Sequence, residues 1–334
     1  MIRRRCGCLL ATAAGALVVM SGLRIAPQAW SSARVTAASQ DRQDQPLFRA
    51  RATAVSLDVS VRRGNRPVTG LTAADFQVTD NGVPQMVEQV LTEGLPIDVT
   101  LIIDASGSTA ALIDEIRRNA REVLGLLRPD DRARILIIEE IPYELLPLQR
   151  IGDGIALPRE RLHGGLSSVY DTILAGVVAR PDPDRRRLLV AITDGVDNKS
   201  VTSVRSLEDV VRRSDTVVHV LSIRAPTADP GPRRASSPTF RRYQPTKQEL
   251  ELFESLPVLT GGLFHGPRQT SWIGINVDAA KAIREVIAEF RQSYVVQYAP
   301  RDVASGVWHD IIVRVGGVEP RGVRTRAGYF DAVR

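Results

Sequence analysis

Four short apolar runs, separated by stretches of helical spacing, narrow the folds open to this chain more than any other feature. The runs are residues 99–103, 135–138, 188–192 and 217–223. After the first, Leu112, Ile116, Ala120, Val123 and Leu127 recur at helical intervals until Pro129 ends the repeat. Val169, Ile173, Leu174 and Val177 mark a second helix, and further helical patterns cover 207–211, 250–259 and 279–290. A strand that is apolar on both faces has to be covered on both. The alternation therefore predicts an α/β fold, a doubly wound and mostly parallel sheet with helices on each side, over about residues 95–292.

Both flanks read differently. Val55, Leu57, Val59 and Val61 alternate with polar residues, as do Phe76 and Val78, and Asn81-Gly82 is a strong hairpin signal before a return strand carrying Val83, Val87 and Val90. Alternation resumes at Tyr294, Val296 and Tyr298, then at Ile311, Val313 and Val315, with a last strand expected over 323–330. Neither flank (51–94 or 293–334) can bury a face alone. The two are expected to pair as a small discontinuous β-sandwich into which the α/β unit is inserted.

The beginning of the chain bears on where it works. Arg3-Arg4-Arg5 precedes an apolar stretch from Cys6 to Leu23, and small residues come next at Ser31-Ser32-Ala33 and Val35-Thr36-Ala37-Ala38. That is the layout of a secretory signal peptide over 1–38, succeeded by a polar lead-in at 39–50. The reading places the remainder in the cell envelope or outside the cell, with no stable membrane span after cleavage; an uncleaved single anchor is the alternative. Both cysteines, Cys6 and Cys8, lie in this leader, so the rest of the chain has no disulfide, thiolate nucleophile or Cys-ligated zinc. Five arginines and no acid fall within 1–38. Without them the net charge of +6 drops to +1, too little to argue for nucleic acid as a partner.

The chemistry gathers where apolar runs end. Residues 101–103 lead into Asp104-Ala105-Ser106-Gly107-Ser108, and 191–193 lead into Asp194-Gly195. Gly164-Gly165-Leu166-Ser167-Ser168 precedes the helix of Tyr170-Asp171. In a parallel sheet these loops open at one edge. Two carboxylates meeting there repel unless a cation lies between them, and carboxylate with hydroxyl oxygens suits Mg²⁺ or Mn²⁺ better than zinc. Taken singly, each residue also suits a helix cap or a turn.

Together these motifs resemble the metal-ion-dependent adhesion site of von Willebrand factor type A domains. The flanking Val68-x-Gly70-Leu71, Asp75-Phe76-x-Val78-x-Asp80-Asn81-Gly82 and Arg326-Ala327-Gly328-Tyr329-Phe330 resemble a secreted bacterial group of such proteins. The resemblance implies Ser106 and Ser108 as direct metal ligands, with Asp104 and Asp194 binding directly or through water. Ser167 stands where the family has threonine, and Ser168 is the substitute. Asp197, close behind Asp194, either supports the ligands from behind or is solvated, and the solvated reading is preferred here. The family's behaviour implies that an open metal position takes an Asp or Glu from a protein partner. The basic, proline-rich stretch at 225–247 would favour acidic surfaces nearby.

No nucleotide-binding Gly-Lys loop, serine-hydrolase elbow or His-based zinc spacing occurs, so nucleotide is not an expected partner and enzymatic activity is not expected. His163 is the one general base suitably placed for the alternative, a metal-assisted hydrolase of phosphate or other esters. A structural envelope protein with an idle metal site is the third reading. His219 reads as a satisfied core residue.

Overall fold

The computed structural model describes residues 54–92, 94–105, 120–157, 165–178, 182, 184–223, 246–266 and 279–331. The leader, the lead-in, Ser106, Ser108, His163 and nearly all of the basic stretch lie outside them. The described residues belong to one compact unit, Leu47–Arg334.

β6 (Ile97–Asp104) is the central strand, and all eight of its residues are buried. It pairs in parallel with β7 (Arg132–Ile138) on one side and β9 (Arg186–Thr193) on the other. β10 (Val217–Ser222) and β11 (Phe264–His265) continue in parallel beyond β9. β8 (Tyr143–Arg150) returns antiparallel on the other edge, giving the order β11-β10-β9-β6-β7-β8. The direction of winding reverses between β6 and β9, and ligands of open α/β sheets bind at the carboxyl ends beside such a switch.

Successive strand residues face opposite ways, so the apolar runs feed two cores. On one face Val99, Leu101, Ile103 and Ile192 pack against helical residues 120–124 (α1) and against Ile283, Val286 and Phe290 of α5 (Ala279–Gln292). On the other, Ile102, Leu136, Ala191 and Val220 meet α2 (Val169–Val177), α3 (Val204–Arg213) and α4 (Lys247–Leu259). Each large apolar side chain so buried contributes about 1.5–3 kcal/mol.

The flanks form the sandwich. β1 (Val55–Arg63), which pairs at its end with the two-residue β2 (Arg66–Pro67), also pairs antiparallel with β12 (Tyr294–Tyr298), Leu57 opposite Val296 and Val59 opposite Tyr294. In the second sheet β13 (Trp308–Val315) pairs with β3 (Phe76–Asp80), Val313 opposite Val78. Leu57, Val59, Phe76, Val296, Ile311 and Val313 fill the space between. The α/β unit thus sits in the chain between strands that pair with each other.

Two strands expected to be continuous are broken. Asn81 and Gly82 have φ of 47° and 82°, as a tight hairpin turn requires. Only β4 (Val83–Gln85) then returns along β3, while β5 (Val87–Leu91) crosses to pair with β12. The side chain of Gln85 donates to the Arg301 carbonyl at 3.0 Å and accepts the Arg301 amide at 2.9 Å, anchoring the corner. Similarly, 323–330 divides into β14 (Val323–Arg324), paired with β1, and β15 (Gly328–Phe330), paired with β13. Between them the Ala327 amide donates to the Leu259 carbonyl at 3.0 Å, drawing the chain against the end of α4 as it changes sheets.

Candidate metal centre at the strand ends

Asp104 is the last residue of β6, fully buried. The pairing of Ile103 with Ile192 sets Thr193, the end of β9, beside it. Thr193 Oγ1 donates to Asp104 Oδ2 at 2.6 Å and accepts the Gly195 amide at 3.0 Å. One buried hydroxyl therefore ties the carboxylate of β6 to the loop that carries Asp194. Asp194 is also buried, and its Oδ1 accepts the Val196 amide at 2.9 Å. Gly195 has φ +75°, and a Cβ there would come within 2.9 Å of the Phe253 ring, so the turn tolerates no side chain.

Ser167 approaches from the start of α2. Its hydroxyl donates to the Val196 carbonyl at 2.6 Å, and its carbonyl accepts the amides of Asn198 and Lys199. Ser168 is held elsewhere, its Oγ donating to the Glu139 carbonyl at the end of β7 at 2.7 Å. The structure thus brings Asp104, Asp194 and Ser167 to one loop system. Of the two serines, Ser167 is the one joined to the Asp194 loop.

Asp197 is a correction to the sequence reading. Its side chain is not solvated; the residue is buried and its Oδ2 accepts the Tyr170 amide at 3.0 Å. Ser200 Oγ accepts the Asp171 amide at 3.0 Å, and Asp171 takes the amides of Val201 and Thr202, both at 2.9 Å. Orphan donors at the start of α2 are thereby met by the loop after β9, and α2 caps that loop in return. Partial burial pushes the Asp171 carboxyl up, but hydrogen bonds from Thr202 and the two amides outweigh it and hold it below its usual range. Sequence reasoning also passed over Thr193, because threonine closing an apolar strand reads as a β-former.

The donor set fits a hard cation. No three His, Cys, Asp or Glu side chains among the described residues converge on one point, so a cage built from those residues needs hydroxyl, carbonyl or water oxygens beside its carboxylates. Ser167 gives its proton to a carbonyl, which leaves both oxygen lone pairs for coordination, whereas the Thr193 hydroxyl donates to Asp104 and has already given one lone pair to the Gly195 amide.

Fold and rim together define a doubly wound α/β domain, joined to a β-sandwich, with acidic and hydroxyl side chains at its switch point. Neither a family profile nor a curated protein sequence matches the chain. Solved structures similar to it include von Willebrand factor type A from Catenulispora acidiphila, 10% identical, covering 84% of this chain and 74% of that one with a TM-score of 0.41. The conserved hypothetical protein BatB from Bacteroides thetaiotaomicron is 16% identical, over 58% of this chain and 98% of its own, with a TM-score of 0.38. Proximal thread matrix protein 1 from the mussel byssus, described with a zinc-occupied MIDAS motif, is 10% identical over 64% of this chain and 50% of its own, with a TM-score of 0.40.

Proposed function

We propose that this chain is an exported protein-binding module of the von Willebrand factor type A kind, which captures an acidic group of a partner protein through a divalent cation. Asp104, Asp194 and Ser167, with Ser106 and Ser108 that follow β6 in the sequence, would hold Mg²⁺ or Mn²⁺. When bound, such a cation supplies a Lewis-acidic position for an outside carboxylate. The protein's own part is to keep two carboxylates and a hydroxyl in place beforehand. The observation that carries the reading is the Thr193 hydroxyl linking Asp104 to the loop of Asp194 at the switch point. That link, between residues 89 apart in sequence, makes the two acids part of one rim. Export rests on the leader sequence, and among the described residues no helix is long and apolar enough to cross a membrane.

Thermal unfolding of the purified chain with Mg²⁺, Mn²⁺, Zn²⁺ or chelator tests the cation. Excess Mg²⁺ or Mn²⁺ at about 100 times its dissociation constant should add about 2.7 kcal/mol of stability. Asp104→Ala should abolish the gain, and Ser167→Ala should weaken binding about tenfold. A gain that survives Asp104→Ala, or no gain with any cation, defeats the reading. Retention of envelope proteins by the wild type with Mg²⁺, and not by Ser106→Ala, would identify the partner.

A further inference from the structure

At the opposite end of the sheet, where the sandwich hands the chain to the α/β unit, lies a cavity of about 270 Å³. Its wall includes both covalent links between the two parts: residues on the way from β5 to β6, and the end of α5 leading to β12. Leu91, Leu95 and Val295 make an apolar side, and Arg128, Arg186 and Arg291 bring three guanidinium groups to it.

Two of those cations are already engaged. Arg186 Nε donates to Asp58 at 2.7 Å and Nη2 to Ser293 at 2.6 Å, while the group stacks 4.1 Å from the Phe290 ring centre. Arg291 pairs with Asp131, which is fully buried and also accepts the Ile97 amide at 2.9 Å. Arg128 differs. Its backbone amide is held by Asp131 at 2.5 Å, but its guanidinium has no hydrogen bond or ion pair among the described residues. The amide contact fixes the base of the side chain, and the charged end is exposed at the mouth of the cavity.

We propose that this cavity binds a small amphiphilic carboxylate, its head on the Arg128 guanidinium and its apolar body against Leu91, Leu95 and Val295. The lining dictates the chemistry. A planar guanidinium grips a carboxylate through two parallel hydrogen bonds, and the apolar side of the cavity takes an apolar body. A cationic ligand is opposed by three arginines, of which two are neutralised by carboxylates among the described residues. An uncharged one leaves Arg128 unused.

Octanoate is the probe, titrated into the full chain by calorimetry in chelator, so that the result does not depend on the cation at the other end of the sheet. Saturable binding is expected, at least tenfold tighter than that of octylamine or 1-octanol. Arg128→Gln changes an exposed side chain and should weaken octanoate about tenfold without lowering the melting temperature. Leu95→Trp, which fills the cavity, should abolish binding in a chain that still melts cooperatively. Absence of octanoate binding, equal affinity for octylamine, or an Arg128→Gln variant that binds like wild type would each overturn the proposal.

Discussion

At the scale of single residues, the rim depends on a threonine that binds nothing itself. Thr193 is fully buried, and replacing it with valine keeps the shape while removing both a donor to Asp104 and the acceptor for the Gly195 amide. A buried amide left without a partner costs about 1–3 kcal/mol. Thr193→Val should therefore lower the unfolding free energy by about that amount in urea titrations, and Thr193→Ser, which keeps the hydroxyl, by less than half as much. Equal losses for the two would mean that the methyl, not the hydroxyl, is what matters. Asp104 and Asp194 stood out in the sequence only as a set, two acids each closing an apolar run that a parallel sheet carries to the same edge, since either alone suits a cap or a turn. Asp197 did not, since its role depends on which helix start lies across from it, and that juxtaposition is made by the fold alone.

At the scale of elements, the buried parallel strands announced themselves because strands covered on both faces are continuously apolar. The edge strand β8 did not. Pro147 interrupts it and its register with β7 shifts twice, between Ala133 and Ile135 and between Ile135 and Leu136, so no clean alternation reaches the sequence. The opposite edge carries a pH-dependent pair. His219 on β10 and His265 on β11 approach with Nδ1 and Nε2 3.3 Å apart. Burial pushes the His219 imidazole down to about 3, with His265 and Arg324 adding to the effect. His265 is lowered as well, by burial and then Arg324, against the opposing pull of Glu285. Above about pH 6.5 both are neutral whether the chain is folded or not, and their full contribution to stability is present. Below it the unfolded chain takes up protons that the folded chain refuses, so stability falls as acid is added, for His219 until about pH 3. His219 alone should remove about 2 kcal/mol between pH 6.5 and 5, and His219→Leu should flatten that part of the pH profile of unfolding free energy. Identical slopes for variant and wild type would show that the pair is not the acid-sensitive element.

At the scale of the whole molecule, the question is what makes a sandwich built from two ends of the chain behave as one body with the domain between them. The sequence implied the pairing, because each flank has an apolar face that it cannot bury alone; it could not show the ionic junction. Glu289 on α5 accepts Ser60 Oγ at 2.8 Å, pairs with Arg62 of β1 at 3.3 Å and also pairs with Arg324 of β14. Asp58 of β1 pairs with Arg186 at the start of β9. These groups are partly shielded from water, the Glu289 side chain being 18% exposed. Removing the carboxylate leaves two arginines facing each other. Loss of one member of a fully buried pair costs about 3–5 kcal/mol, and the remaining exposure reduces that to roughly 2–4 kcal/mol for Glu289→Ala. The loss falls on the contact between the two parts and spares the core of each. In scanning calorimetry the wild type should melt in a single transition whose calorimetric and van't Hoff enthalpies agree. Glu289→Ala should melt earlier, with a calorimetric enthalpy that exceeds the van't Hoff value as sandwich and α/β unit come apart separately. If the variant melts earlier but still in one two-state step, the pairing of β1 with β12 and the covalent links around the basal cavity, rather than the ions, are what join the two parts.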